Sequence, residues 1–249
     1  MTMKIVVQDA PSLKAIMECI TGLVEEAQFE VKVDGLSLKA MDPSQISMIS
    51  FMMPKTAFVE YDAGEETKLG LDLTQFVNVL SRGKKGEKVE ITTEDGRLIL
   101  KIMGAKQKKV FKIPLIENRG QIQREPKIET GSYVKIKAET LKELLKDAKL
   151  ISSHIRLRLN PEQFMVDVKG DNGEVHSEME KDSEEISELK ADKEVSSTFP
   201  LQYVEDMVKA TTSGMLLTLF IETDRPLKLE YEMEGAKFTY YLAPRIEQD

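Results

Sequence analysis

Cysteine occurs once in the 249 residues and histidine twice, and no apolar run approaches the ~20 residues of a membrane-spanning helix. Each shortage closes off a class of protein. A lone thiol, Cys19, can neither close an intrachain disulfide nor build a cysteine-rich metal site. The apolar blocks are too short for a bilayer, so no membrane partner is expected. Met1-Thr2-Met3-Lys4-Ile5-Val6 enters an alternating pattern directly, without a signal-peptide core, which fits a soluble intracellular protein. His154 and His176 lack a metal-ligand partner at recognisable spacing, so each is expected to be structural, and neither cofactor nor metal is expected. Gly83-Lys84-Lys85-Gly86 lacks the spacing and the Lys-Ser/Thr ending of a phosphate loop. No Gly-x-Ser-x-Gly occurs, and Cys19 beside Ile20 on a helix reads as inert. Abundant carboxylates leave an acid/base hydrolase open as an alternative.

What is present is charge, 31% of residues, over 41% hydrophobic residues that suffice for ordinary cores. The balance of 35 basic to 43 acidic residues gives a net charge of −8. Taken alone, that sum argues against tight electrostatic binding of nucleic acid, although charge distribution can override it. Two segments end alike. Gly104-Ala105-Lys106 precedes an alternating run ending Ile113-Pro114-Leu115-Ile116, and Gly235-Ala236-Lys237 precedes one ending Ala243-Pro244-Arg245-Ile246. So long a period points to a duplicated domain, because solenoid repeats are much shorter.

Each half parses as strand, helix, several strands, second helix and a closing group of strands. In the first, residues 4–8 alternate and a helix is expected over 11–27, with Leu13, Ile16, Met17, Ile20, Val24 and Ala27 on one face. Strands at 29–33 and 36–41 flank Asp34-Gly35, read as a type I′ hairpin turn. Further strands are expected at 47–52, 57–61 and 68–71, then a helix at 72–82 and strands at 88–92, 97–103 and 108–115. The second half repeats the plan: a strand at 133–137, a helix at 139–152 burying Leu141, Leu144, Leu145, Ala148 and Ile151, and strands at 155–159, 164–169, 174–179, 186–189 and 194–198. A helix at 201–210 matches that at 72–82 at a constant offset, before strands at 215–223, 227–233 and through 242. The boundaries are 1–117, 118–132 and 133–249, the middle segment being a linker with few aliphatics. Composition and periodicity therefore give a duplicated α+β protein.

Three runs carry a resemblance. Gly35-Leu36-Ser37-Leu38-Lys39-Ala40-Met41-Asp42-Pro43-Ser44, the stretch from Tyr203 to Lys209-Ala210-Thr211, and Tyr240-Tyr241-Leu242-Ala243-Pro244-Arg245-Ile246-Glu247 resemble the sliding-clamp family of proliferating cell nuclear antigen, most closely its archaeal members. They look like that family's first-domain strand and turn, its fourth helix and its C-terminal signature, the last being the most specific. The likeness spans the chain in the right order and spacing, departing in the linker, where Pro126-Lys127-Ile128-Glu129 is more polar. It implies the DNA clamp fold: two topologically similar domains, each with antiparallel sheets and two helices, three subunits closing a pseudo-sixfold ring around duplex DNA. It further implies a processivity factor whose clients include DNA polymerase, clamp loader, flap endonuclease and DNA ligase, docked through short hydrophobic peptides. The location implied is the nucleoid-bearing cytoplasm in an archaeon, or the nucleus in a eukaryote.

Particular residues acquire roles on that basis. Lys142, Lys146 and Lys149 form a stripe opposite Leu141, Leu144 and Leu145, suited to phosphates rather than base edges. Lys14, Arg82, Lys84, Lys85 and Lys209 would add to it. Pattern alone favours a solvated helix face, since Glu139, Glu143 and Asp147 interleave; the resemblance reverses that preference. Lys106, Lys108, Lys109 and Lys112 crowd the last strand of the first half, and Glu174, Glu178 and Glu180 lie in and beside one of the second. Such edges could pair head to tail between subunits, or could merely resist aggregation. The resemblance places Met41, Ile46, Ile128, Pro226, Tyr241, Ala243 and Pro244 in an apolar client groove; the alternative for most is the core. Besides the clamp, an acid/base hydrolase and a purely structural oligomer stay open.

Overall fold

The computed structural model describes residues 3–117, 124–128, 131–171 and 173–245. Gly120, Ile122 and Glu129 of the linker, and Ile246 and Glu247 of the C-terminal signature, lie outside the described residues. In the first half the order is β1 (Lys4–Val7), α1 (Ala10–Thr21), β2 (Glu26–Lys32), β3 (Gly35–Met41), β4 (Ser47–Pro54), β5 (Glu60–Asp62), β6 (Thr67–Asp72), α2 (Leu73–Leu80), β7 (Lys88–Glu94), β8 (Arg97–Met103) and β9 (Lys108–Pro114). The second half runs β10 (Tyr133–Lys137), α3 (Ala138–Lys149), β11 (His154–Leu159), β12 (Gln163–Gly170), β13 (Gly173–Glu180), β14 (Ile186–Lys190), β15 (Val195–Pro200), α4 (Leu201–Val208), β16 (Leu216–Phe220), β17 (Leu227–Met233) and β18 (Ala236–Leu242). It is a duplicated α+β chain, with four helices among the described residues and antiparallel sheets.

The duplication is tight where helices are concerned. Ala10–Thr21 recurs as Ala138–Lys149 and Leu73–Leu80 as Leu201–Val208, both displaced by 128 residues. Strand β9 recurs as β18 at the same displacement. The two Gly-Ala-Lys triplets are not equivalent, however. Gly104-Ala105-Lys106 lies in the loop before β9, whereas Ala236 and Lys237 already begin β18. The cause is loop length: the β17–β18 connection is only Glu234-Gly235, both at positive φ (52° and 78°). Pro114 likewise ends β9, while Pro244 lies beyond β18.

The chain forms two compact units, Met1–Pro43 with Ile49–Arg124 and Glu232–Phe238, and Ser44–Met48 with Glu125–Tyr231 and Thr239–Asp249. In the first, β1 sits between β5 and β7, and the sheet runs β5-β1-β7-β8-β9. Strand β2 pairs with both β3 and β6, and α1 packs on α2. Asp9 caps α1 by accepting from Ser12 N at 3.0 Å, and Asp72 caps α2 by accepting from Gln75 N at 2.8 Å. Phe51 meets Phe29 edge-on at 6.2 Å and Phe238 at 5.2 Å, all three fully buried. Burial of such a ring contributes about 2–3 kcal/mol.

In the second unit β10 lies between β14 and β16, and a separate sheet runs β13-β12-β11-β15 beneath α3 and α4. Neither helix has a side-chain cap; carbonyls of neighbouring segments substitute. Ala138 N donates to Met215 O at 2.8 Å and Leu201 N to Ser153 O at 2.9 Å. Tyr231 and Tyr240 share a buried hydroxyl contact at 2.9 Å, and Tyr231 also donates to Met207 O at 3.1 Å.

Four expectations are corrected. The helix expected over 11–27 ends at Thr21, because Gly22 favours termination and the chain from Glu26 gains two strand partners. Val24 and Ala27 are buried all the same, which is why they matched the helical period. The 57–61 strand is instead a single 3₁₀ turn, Lys55–Ala57, followed by β5. Helix α3 stops at Lys149, leaving Ile151 beyond it and Leu144 half-buried. Finally, Lys32 pairs with Gly35, so the β2–β3 turn residues are Val33 and Asp34, neither at positive φ. Positive φ at both turn residues, as a type I′ turn requires, is found instead at Asp95-Gly96 between β7 and β8, 47° and 70°, and at Glu234-Gly235.

Gly35 is needed for a different reason. Its φ is 152°, and a Cβ there would stand 2.3 Å from Met53 O. Gly35→Ala is expected to lower stability by about 1–3 kcal/mol in urea unfolding; an unchanged midpoint would mean that the Met53 carbonyl moves aside freely.

Candidate nucleic-acid interface and docking surfaces

Helix α3 buries Ala138, Leu141, Leu145 and Ala148, which turns Lys142, Lys146 and Lys149 toward α4 and solvent. With Lys209 they line an open groove of about 340 Å³ between the two helices, together with Glu205 and Asp206. Lys142 Nζ is tied to backbone, donating to Lys209 O at 3.1 Å and Thr211 O at 2.5 Å. Lys146 pairs with Glu143 at 2.6 Å and Lys149 with Glu205 at 2.8 Å. The Lys146–Glu143 pair is exposed on both sides and contributes about 0–1 kcal/mol, whereas Glu205 is half-buried. Glu139 is withdrawn from the stripe. It accepts from Gly214 N at 2.9 Å, a bond that also holds its carboxyl below the ordinary value.

In the first unit Lys14 pairs with Glu18 one helical turn away, at 2.6 Å. Arg82, Lys84 and Lys85 are exposed on the loop after α2, and that loop is stapled to the start of α1. Asp9 accepts from Gly86 N at 2.5 Å, and Ala10 N donates to Glu87 O at 2.9 Å. Lys109 Nζ donates to Arg82 O at 2.7 Å. The Gly86 bond, followed by those from Ser12 and the charge of Lys85, holds the Asp9 carboxyl below its usual value. Each unit therefore carries some basic residues on or immediately after its helices.

The two charged strands are both sheet edges. Strand β9 pairs only with β8, and β13 only with β12, among the described residues. Exposure alternates along each: Lys108, Val110 and Lys112 on β9, and Glu174, His176, Glu178 and Glu180 on β13. Lys109 lies on the opposite face of β9 from Lys108, and Lys106 precedes the strand. Glu180 accepts from Gln163 Nε2 at 2.7 Å and Lys112 pairs with Glu94 at 2.8 Å.

Of the seven groove residues, Met41 belongs to the first unit and the rest to the second. Three are brought together. Ala243 N donates to Ile46 O at 2.8 Å, and Ser47 Oγ donates to Tyr241 O at 3.1 Å beside them. Tyr241 is only 6% exposed, and its hydroxyl donates to Glu125 Oε2 at 2.9 Å. Burial and that carboxylate push the phenol well above its ordinary value. Met41, Ile46, Ile128, Pro226, Ala243 and Pro244 are half-buried, and Pro226 sits in the turn before β17. Glu125 had no sequence signal, because its partner stands 116 positions away.

Models of the proliferating cell nuclear antigen N-terminal and C-terminal domains match residues 2–117 and 125–246. A DNA polymerase sliding clamp of Methanococcus maripaludis is 34% identical over 94% of this chain and 95% of its own. DNA polymerase sliding clamp 1 of Pyrobaculum aerophilum is 31% identical over 96% of each. Among solved structures, A. fulgidus PCNA bound to the C-terminal region of FEN-1 superposes with a TM-score of 0.89 at 28% identity, covering 99% of this chain and 100% of that one. The Thermococcus kodakaraensis PCNA gives 0.93 at 23% identity over 98% and 100%, which speaks to fold.

The Asp9 staple makes a pH-dependent prediction. A carboxylate with a depressed folded pKa adds stability above its unfolded value of about 3.9, lost as pH falls through the folded one. Asp9→Ala should therefore cost about 1 kcal/mol at pH 7, and the gap to the parent protein should close in acid. A gap independent of pH would show that the carboxylate charge contributes nothing.

Proposed function

The chain belongs to the proliferating cell nuclear antigen family, and we propose that it works as a ring-shaped DNA sliding clamp, a processivity factor that tethers DNA polymerase to its template. One observation carries this: both halves match the family, and the curated sliding clamps align over 94–96% of the chain. Helical lysines such as Lys146, held by a weak exposed pair, support the reading. A clamp kept on DNA by closure needs sequence-independent contacts that exchange readily. Tight phosphate neutralisation would hinder sliding, since each such contact adds about −0.9 to the salt slope. Lys14, Arg82, Lys84, Lys85, Lys142, Lys146, Lys149 and Lys209 are the proposed lining. The net charge of −8 per chain then belongs on the outer surface.

Such a factor works by encirclement, so the chain is read as a non-enzyme, located with the nucleoid in an archaeon or in the nucleus of a eukaryote. Its clients are read as DNA polymerase, clamp loader, flap endonuclease and DNA ligase, bearing short apolar peptides. The FEN-1 segment on the A. fulgidus protein is the precedent. Ile46, Ala243 and Pro244 on the second unit are the residues proposed to meet them, with Tyr241 as buried support held by Glu125.

Closure follows from the two open edges. An antiparallel pairing of β9 from one copy with β13 of the next can set Lys108 opposite Glu178, Val110 opposite His176 and Lys112 opposite Glu174. All six are the exposed positions of their strands, with His176 half-exposed and Val110 50% exposed. The same register sets Phe111 opposite Val175 on the other face. Sliding by two residues breaks at least one of the two ion pairs, and sliding by one reverses every side chain. Each cross-strand pair is worth about 0.2–1 kcal/mol.

Two measurements test these readings. Once loaded by a clamp loader, the protein should stay on closed circular DNA and leave when the circle is cut; equal retention on both forms ends the clamp reading. In native mass spectrometry Lys108→Glu with Lys112→Glu should convert trimer to monomer, and adding Glu174→Lys with Glu178→Lys should restore it. A trimer indifferent to the first pair of changes rejects this register.

A further inference from the structure

The sheet β13-β12-β11-β15 carries α3 and α4 on one face, where Ile155, Leu157 and Leu159 are buried. The alternate residues His154, Arg156 and Arg158 point to the other face, which forms an open, polar pocket of about 650 Å³. Charge is unevenly spent there. Arg158 is satisfied internally, reaching Asp167 at 3.0 Å and Glu194 at 2.8 Å. The second Asp167 oxygen holds His176 Nδ1 at 2.5 Å. Three other cations line the pocket without closing an ion pair among the described residues: Arg156, Lys169 and Arg245. Arg156 donates only to the neutral Ser196 hydroxyl, at 2.9 Å. Lys169 stands opposite Glu174 in register, without an ion pair between them.

Arg245 NH1 lies 3.3 Å from His154 Nδ1. A guanidinium can only donate, so Nδ1 accepts and the imidazole proton resides on Nε2. Burial, with the neighbouring charge of Arg245, lowers the His154 pKa and keeps the ring neutral at pH 7. The pocket therefore offers donors from Arg156, Lys169, Arg245 and His154, in a chain whose net charge is −8.

We propose that this face binds a small phosphorylated ligand, its phosphoryl oxygens taken by Arg156 and Arg245 with Lys169 beside them. Three cations exceed what one carboxylate compensates, and a phosphoryl dianion meets the planar guanidinium edge through paired bonds. Of the lining carboxylates, Asp167 and Glu194 are already spent on Arg158, which leaves Glu174. The volume lies within the roughly 300–1,000 Å³ of small-ligand sites. The site lies on the opposite face of this sheet from α3 and its Lys142, Lys146 and Lys149.

Calorimetric titration of the whole protein with inorganic pyrophosphate is the test. Saturable binding is expected, weakened about tenfold or more by Arg156→Ala with Arg245→Ala, since two charge-assisted bonds are lost. All three cationic residues are exposed, so these variants should fold; Lys169→Glu provides a second, independent loss. Lys142→Ala with Lys146→Ala should leave the titration unchanged. Absence of saturation, or affinity indifferent to the arginine pair, overturns the proposal. So does citrate binding as tightly as pyrophosphate, which would make the pocket a general anion trap.

Discussion

Burying one apolar stripe of a helix pair against one face of a sheet is the constraint from which the rest follows. In the second unit Leu141, Leu145 and Ala148 of α3, with Leu201, Val204, Met207 and Val208 of α4, are committed to that contact. Once they are, the lysines of α3 have only the α4 groove and solvent to face. The sheet beneath must turn its alternate residues the other way, and these are the arginines and histidines of the polar pocket. A helix-covered sheet also ends somewhere, and in each unit one end is a charged strand without a second partner among the described residues.

The energetics of the charged surfaces differ by design of their pairing, not by their residue types. Lys146 is held by the exposed carboxylate of Glu143, which exchanges easily, and Lys149 by the half-buried one of Glu205. Arg158 is locked between two carboxylates, and its guanidinium is raised further above its ordinary value by Asp167 first and Glu194 second. Arg156, two residues away on the same face, has no such partner among the described residues. One strand thus presents a structural cation and an available one side by side. That contrast is invisible in a count of charges, and it is why a chain of net −8 can carry cationic sites.

Duplication also has a physical reading. The helices keep a common displacement of 128 residues, while the strands near them drift by a few positions. Helices pack through a periodic stripe, so an insertion inside one would rotate half of it out of the core. Loops absorb the change instead, as the four-residue β8–β9 connection does against the two-residue β17–β18 turn.

The sequence by itself determined the duplication, the identity of all four helices, most strands, and the family. Those signals are local: apolar stripes at the helical period, alternation in strands, and a specific C-terminal run. It misplaced the end of α1 because Val24 and Ala27 satisfy the helical period while being buried for another reason, in and before a strand with two partners. It placed the tight turn at Asp34-Gly35, where the true demand on Gly35 is the approach of the Met53 carbonyl from a distant strand. Only the tertiary structure decided which charges are spent. Glu125 beneath Tyr241, Glu205 beside Lys149, and Arg245 beside His154 are partners 116, 56 and 91 positions apart. A side chain's protonation and availability depend on what folding brings within about 3–4 Å, and no period or spacing along the chain encodes that.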